Sequence, residues 1–224
     1  MFIEKDDGYY LKSAPKGSLE KEALMDSYFH KKHLGAEVVS YISLEKDWLL
    51  TERVRGEDCT HARYIDDPKR LCDTVANLLR SLHETDISDC PIMNRTQDYL
   101  DTVDANYNAG AYDTSLFRDG EGFKDAKAAW KFVDDRRSFL KTDTLIHGDY
   151  CLPNIMLDDW RLSGFIDLGN GGVGDRHIDL FWGAWTLNFN LKTDKYRERF
   201  FDCYGRDAVD EELINVICAA EAFG

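Results

Sequence analysis

No stretch of the 224-residue chain stays apolar for anything like the roughly 20 residues that cross a bilayer, so no membrane-spanning role is expected. The opening "MFIEKDDGYY" meets charge within a few residues and lacks a signal peptide's apolar core, which points to the cytoplasm. The six cysteines (Cys59, Cys72, Cys90, Cys151, Cys203, Cys218) include no C-x-x-C pair. Without paired ligands a structural zinc site is disfavoured, and the thiols read as reduced packing residues. Basic residues are scarce beside acidic ones, 28 Lys and Arg against 42 Asp and Glu, a formal net charge of −14. Such a surface repels phosphate backbones, which argues against a nucleic-acid partner. It suits a cationic small molecule, and it equally serves plain solubility. Internal repeats and low-complexity linkers are also missing.

What is present is an ordinary globular composition, 43% hydrophobic and 31% charged, long enough for one domain or two unequal lobes. "FIE" and "YYLKSA" read as strands around an Asp-Gly turn in "KDDG". "GSLEKEALMDSYFHKKHLG" reads as a helix capped by Ser18, acidic at Glu20 and Glu22, basic at Lys31, Lys32 and His33, and ended by Gly35. "EVVSYISLE" and "DWLLTERV" are two further strands. From Gly56 the pattern turns helical: behind Pro68 and its acidic cap candidates, Leu71, Val75, Leu78, Leu79 and Leu82 recur at helical spacing. "ISDCPIMNRTQDYLDTV" runs through a turn into a helix, residues 108–122 form a loop, and "KDAKAAWKFVDDRRSFL" is amphipathic. "TLIHGDY", "NIMLDD" and "LSGFIDLG" are short strands and loops, and Asp179 to Phe223 is helical again. The expected class is α+β: a small β-rich lobe over residues 1–54, joined near Thr51–Gly56 to a larger helical lobe over residues 55–224, with a cleft between them.

The stretch "LIHGDYCLPNIMLDD" holds polar residues at fixed short spacing between apolar flanks. A polar turn between strands is the bland account. The other is a catalytic loop, because Asp149 and Asn154 are separated by four residues and Asp167 follows in "GFIDLG". That is the order H-x-D-x-x-x-x-N, then Asp-x-Gly, used for phosphoryl transfer. The chemistry explains the residue types. An alcohol nucleophile needs a carboxylate to orient it and accept its proton, the place of Asp149. Magnesium (Mg2+) prefers hard oxygen donors, which the Asn154 carbonyl and the Asp167 carboxylate supply. His147 then reads as a residue that holds the loop, since Asp149 already fills the base position. The N-terminal lobe should supply a phosphate-gripping lysine positioned by a helix carboxylate, and Lys12 and Glu22 stand where these belong.

"HGDYCLPNIM" followed by "LSGFIDLGNGGVGDRHIDL" resembles the aminoglycoside 3'-phosphotransferases, the kanamycin kinases. "LHETDISDCPI", "YYLK", "EKEA" and "DWLLTERVRGEDC" also match segments of that family, in order, so the resemblance covers about Gly8 to Phe223. It implies a protein-kinase-like two-lobe fold, ATP and Mg2+ as cofactors, an aminoglycoside as substrate and a monomer. Carried onto matching positions, Asp149 is the base, Asn154 and Asp167 hold magnesium, Lys12 grips phosphates and Glu22 orients it. Tyr10 would stack on adenine, which the backbone near Thr51 and Arg53 would hydrogen-bond, and Asp175 and Asp179 would brace the loop.

Three departures from the family pattern set further expectations. Only eleven residues precede Lys12, and the N-terminal region has no G-x-G-x-x-G, so a first strand and phosphate-covering loop are expected to be missing, by nature or by truncation. Asn170 stands where an Arg commonly follows "IDLG". The end "AAEAFG" keeps Glu221 and Phe223 as acceptor-binding residues but replaces the preceding acid with Ala220; Asp113, Asp119 and Glu121 of the loop are offered as extra acids for an amine. The leading reading is an ATP-dependent aminoglycoside O-phosphotransferase acting on the 3'-OH. A kinase of another small alcohol and a nucleotide-binding pseudokinase stay open beside it. A eukaryote-type protein kinase is disfavoured, since "IDLG" runs into "GDRHIDL" with no room for an activation loop or A-P-E motif.

Overall fold

Short runs rich in Val, Ile, Tyr and Leu, bounded by Gly, Pro and charged residues, form the N-terminal sheet. In the computed structural model, which describes residues 2–3, 8–113 and 123–224, strands β1 (Phe2–Ile3), β2 (Tyr9–Pro15), β3 (Val38–Ser43) and β4 (Lys46–Glu52) pair antiparallel in the order β1-β2-β4-β3. The register sets Tyr10 opposite Thr51 and Lys12 opposite Leu49. The "KDDG" turn lies outside the described residues except for Gly8.

Helix α1 (Glu20–Lys31) corrects two local expectations. Ser18 does not cap it; the Ser18 N–H closes a turn on the Pro15 carbonyl at 3.1 Å. The orphan N–H at the helix start, that of Leu19, donates instead to Asp47 Oδ2 at 2.9 Å. Asp47 belongs to β4 and also accepts the hydroxyls of Ser43 (2.6 Å) and Tyr41 (3.0 Å). A strand carboxylate thus does the work a local serine would do. Nor does Gly35 end the helix. His33 takes the left-handed turn, φ 60°, while Gly35 bridges to Phe165, where an added Cβ would sit 3.3 Å from the Phe165 carbonyl oxygen.

Burial pushes the Asp47 carboxyl up, but the bonds from Ser43, Gly17, Leu19 and Tyr41 outweigh it and hold its pKa at about 2. A carboxyl with its folded pKa below the ordinary 3.8 stabilises the fold above that value and loses the contribution as pH falls towards 2. Thermal melts should therefore show a wild-type advantage over Asp47→Ala that is constant from neutral pH to about pH 4 and narrows below it; a gap independent of pH would contradict the assignment.

Helix α1 has two packed faces. Leu19 and Ala23 meet Leu49 under the sheet. Met25, Tyr28 and Phe29 join the main core with Leu71, Val75, Leu79 and Phe165. Burying a side chain such as Phe29 stabilises by roughly 1.5–3 kcal/mol. The helix and the residue that follows it are also strapped to residues 86–98: Lys21 pairs with Asp98, the Tyr28 hydroxyl donates to the Asp86 carbonyl at 2.8 Å, and Lys32 pairs with Asp89 at 2.7 Å.

The remainder is helical around short strands: β5 (Glu57–Asp58), α2 (Ala62–Ile65), α3 (Pro68–His83), α4 (Arg95–Ala109), α5 (Ala126–Asp134), β6 (Thr144–Ile146), β7 (Ile155–Asp158), β8 (Arg161–Phe165), β9 (Gly172–Gly174), α6 (Arg176–Leu191), α7 (Arg197–Tyr204) and α8 (Glu211–Ala220). As expected, Asp67 caps α3, accepting the Arg70 N–H at 3.2 Å, and Leu71, Val75, Leu79 and Leu82 are buried. Among the described residues no disulfide forms, and Cys59, Cys72 and Cys90 are buried. Strands β5, β7 and β8 form one small sheet and β6 and β9 another. Among the described residues no helix is long and apolar enough to cross a membrane.

Candidate active site

The His147–Asn154 loop leaves β6 and returns through a single 3-10 turn, Leu152–Asn154, into β7. Asn154 reaches back across it: its Nδ2 donates to the Asp149 carbonyl at 3.0 Å and to Asp149 Oδ2 at 2.9 Å. That orientation commits the amide nitrogen to Asp149 and leaves the side-chain Oδ1 of Asn154 without a donor among the described residues. From below, Asp179 of α6 accepts the backbone N–H groups of His147 and Gly148, each at 2.7 Å. His83 of α3 touches the same carboxylate at 3.2 Å and the Tyr204 hydroxyl at 2.8 Å.

His147 is fully buried and its ring is satisfied on both sides. Nδ1 accepts the Asp149 N–H at 3.3 Å, so the proton sits on Nε2, which donates to the Ile166 carbonyl at 3.0 Å. Burial lowers its pKa despite the nearby charges of Asp179 and Asp149. A neutral ring with both nitrogens engaged holds a loop and has no lone pair to offer a substrate. Asp175 caps α6 by accepting the His177 N–H at 2.8 Å and also takes the Lys141 N–H at 2.6 Å, ahead of β6.

Asp167 follows β8 with φ 60°, a left-handed conformation that costs a non-glycine residue on the order of 1–3 kcal/mol. The Lys12 ammonium bonds both Glu22 of α1 and Asp167. Burial works against that charge, but the two carboxylates outweigh it and raise the Lys12 pKa. Asp26, one turn beyond Glu22, lies in the same acidic field. Burial first, then the Glu22 charge, pushes its carboxyl up to about 7. The sequence reading missed it, although an acid at i and i+4 of one helix was the available signal.

Elsewhere the structure departs from the expected site. The Arg53 N–H, expected to face a base, donates to the Gly8 carbonyl at 3.1 Å; Tyr10 is half exposed beside Thr51. Phe223, expected to touch an acceptor, is fully buried against Tyr107 and Tyr112. Its aromatic bulk serves the core of α4, α5 and α8 and presents no surface to a ligand. Glu221 stays near the cleft, accepting the Tyr99 hydroxyl at 2.8 Å. Burial and the charge of Asp149 push the Glu221 carboxyl up to about 7, against bonds from Tyr99 and Trp182 and the charge of Arg95. Asp119 and Glu121 lie outside the described residues. Tyr99, Trp182 and Arg95 were not foreseen, since only packing brings them to Glu221.

Geometry of this kind has relatives. The family model described as phosphotransferase enzyme family matches residues 1–213. A probable aminoglycoside 3'-phosphotransferase of Lactococcus lactis is 49% identical over 226 residues, 100% of this chain and 86% of its own length. A structure of an aminoglycoside phosphotransferase from Streptomyces rimosus superposes with a TM-score of 0.82 at 21% identity, over 98% of this chain and 87% of that one. A second structure of it, in complex with ADP and streptomycin, gives 0.77 at 21% identity, over 100% and 93%. A choline kinase from Streptococcus pneumoniae gives 0.62 at 16% identity, over 96% and 74%. At these identities the structural likenesses establish the protein-kinase-like fold.

Proposed function

The chain belongs to the phosphotransferase enzyme family, and from that membership we propose that it transfers the γ-phosphate of ATP to a hydroxyl of an aminoglycoside, the 3'-OH. The observation that carries this reading is the junction of Lys12 with Glu22 and Asp167, beside Asp149 locked to Asn154. The ADP and streptomycin bound to the Streptomyces rimosus relative support nucleotide and acceptor classes. The identity to the Lactococcus lactis relative supports the 3' position.

In this mechanism the Asp149 carboxylate orients the acceptor hydroxyl and takes its proton as the acceptor oxygen bonds to the γ-phosphorus. The bond from that phosphorus to the β–γ bridging oxygen breaks, and ADP leaves with the electron pair. Lys12 meets the α- and β-phosphates, held by Glu22. Tyr10 stacks on adenine, with the Thr51 backbone beside it. The residues fit magnesium: the Asn154 carbonyl and the Asp167 carboxylate are hard oxygen donors, and with so few protein ligands the ion would take phosphate oxygens and water for the rest. Bound there, magnesium would neutralise charge on the phosphates. The protein acts as a cytoplasmic monomer.

Glu221 supplies a carboxylate for an acceptor ammonium. With its pKa near 7 it is neutral below that pH and charged above it, facing Tyr99, Trp182, Arg95 and Asp149. The KM for an aminoglycoside should therefore fall as pH rises through about 7. In Glu221→Gln that component should vanish; an unchanged profile would remove Glu221 from the acceptor site.

The test of the function is ADP release with ATP, Mg2+ and a panel of aminoglycosides, choline and macrolides. Turnover with kanamycin-like acceptors supports the proposal. Turnover confined to choline or a macrolide moves the activity to another alcohol, and nucleotide binding without turnover marks a pseudokinase.

A further inference from the structure

We infer that Arg95, at the start of α4, is a positioning residue that bolts the turn after Asp167 to the acceptor side of the cleft, an inference that rests on the phosphotransferase reading. Among the described residues its guanidinium hydrogen-bonds Asn170 twice: Nε donates to the Asn170 carbonyl at 2.7 Å and Nη2 to Asn170 Oδ1 at 3.1 Å. Asn170 ends the 3-10 turn Leu168–Asn170, which Asp167 opens in its left-handed conformation.

The same carbonyl is also approached closely by the His147–Asn154 loop. Gly148 has φ 82°, and a Cβ built on it would lie 1.9 Å from the Asn170 carbonyl oxygen. Asn170 is therefore clamped between Gly148, next to Asp149, and Arg95. A shift of this one peptide moves Asp149 and Asp167 relative to each other.

Helix α4 is a firm anchor for the clamp. The Val173 N–H donates to the Ile92 carbonyl at 2.7 Å, and the Thr96 hydroxyl donates to the Lys141 carbonyl at 2.7 Å. One turn along, Tyr99 holds Glu221. Packing does not substitute for the guanidinium on the outer side of the turn. A cavity of about 370 Å³, lined by Lys21, Asp98, Thr102 and Gly169 among others, opens there between α1 and α4. With Arg95 shortened, Asn170 has room to relax outward, away from Gly148.

Misplacing reacting groups by about 1 Å costs on the order of 100-fold in rate. Arg95→Ala should lower kcat by about that factor, with KM for ATP within about threefold and the melting temperature within a few degrees. Hydrogen exchange of the Gly171 amide, which closes the turn on the Leu168 carbonyl at 2.9 Å, should quicken at least about tenfold while exchange in α3 is unchanged. Arg95→Lys should recover only part of kcat, because an ammonium cannot bond both oxygens in the plane of a fork. Full rescue by lysine would leave a simple charge effect and overturn the inference. So would a loss of activity that follows global unfolding, or unchanged Gly171 exchange. If the wild-type chain phosphorylates no aminoglycoside, the functional reading fails, and the exchange experiment still decides whether Arg95 holds the turn.

Discussion

Asp149→Asn is expected to lower kcat by about 10²–10⁴-fold while nucleotide affinity stays within about threefold. The reason lies in how Asp149 is held. One carboxylate oxygen accepts Asn154 Nδ2 at 2.9 Å, and the neighbouring Asp149 carbonyl accepts the same nitrogen at 3.0 Å. An amide at position 149 has two orientations. With its NH2 towards Asn154, two donors face each other and the loop is pushed apart. With its oxygen towards Asn154, the loop is kept but the NH2 faces the acceptor hydroxyl, where it cannot take a proton. Either way the proposed base is gone, and the nucleotide contact proposed for Lys12 is untouched. Steady-state kinetics beside titration with a fluorescent nucleotide separates the two effects. A variant that keeps kcat within tenfold would show that Asp149 is not the base.

Asp179→Ala should produce the largest loss of stability. The carboxylate is fully buried and satisfies two backbone N–H groups, those of His147 and Gly148, besides the imidazole of His83. Burial lowers the His83 pKa, so the ring is neutral, takes the Tyr204 hydroxyl on Nδ1 and donates from Nε2 to Asp179. Alanine strands three buried donors, each costing about 1–3 kcal/mol. The expected cost is at least about 3 kcal/mol by urea denaturation, or a melting temperature lower by roughly 6–12 °C for a chain of this size. Activity should fall further than stability alone accounts for, because Gly148 is no longer held against Asn170. A cost below about 1 kcal/mol would mean that water replaces the carboxylate and that the loop is braced from elsewhere.

The proposed site was legible where its residues are close in sequence. Asp149 and Asn154 lie on one short loop, and the spacing that lets Asn154 reach back is a property of that loop alone. Asp167 was legible because a strand and a turn deliver it. Helix α3 was legible from the period of Leu71, Val75, Leu79 and Leu82, which are all fully buried. Ser18 misled because capping was sought next to the helix, whereas Asp47 reaches Leu19 from a strand 28 positions away. Strands β5 and β9 run to only two and three residues, too short to show a period. Phe223 looked like a contact residue, but tertiary packing decides which face of a terminal aromatic is left open.

By itself the sequence determined the enzyme family, because its motifs are particular side chains at short intervals, and also the two-part division into sheet and helices, because periodicity is local. Only the tertiary structure decided that α1 packs into the larger core, that His147 has no lone pair to spare, that Glu221 sits beside Tyr99 and Arg95, and that Asn170 is clamped between Arg95 and Gly148. These depend on approaches between segments tens of residues apart, where burial, hydrogen-bond satisfaction and the space for a single Cβ select the partner, and no local spacing encodes them.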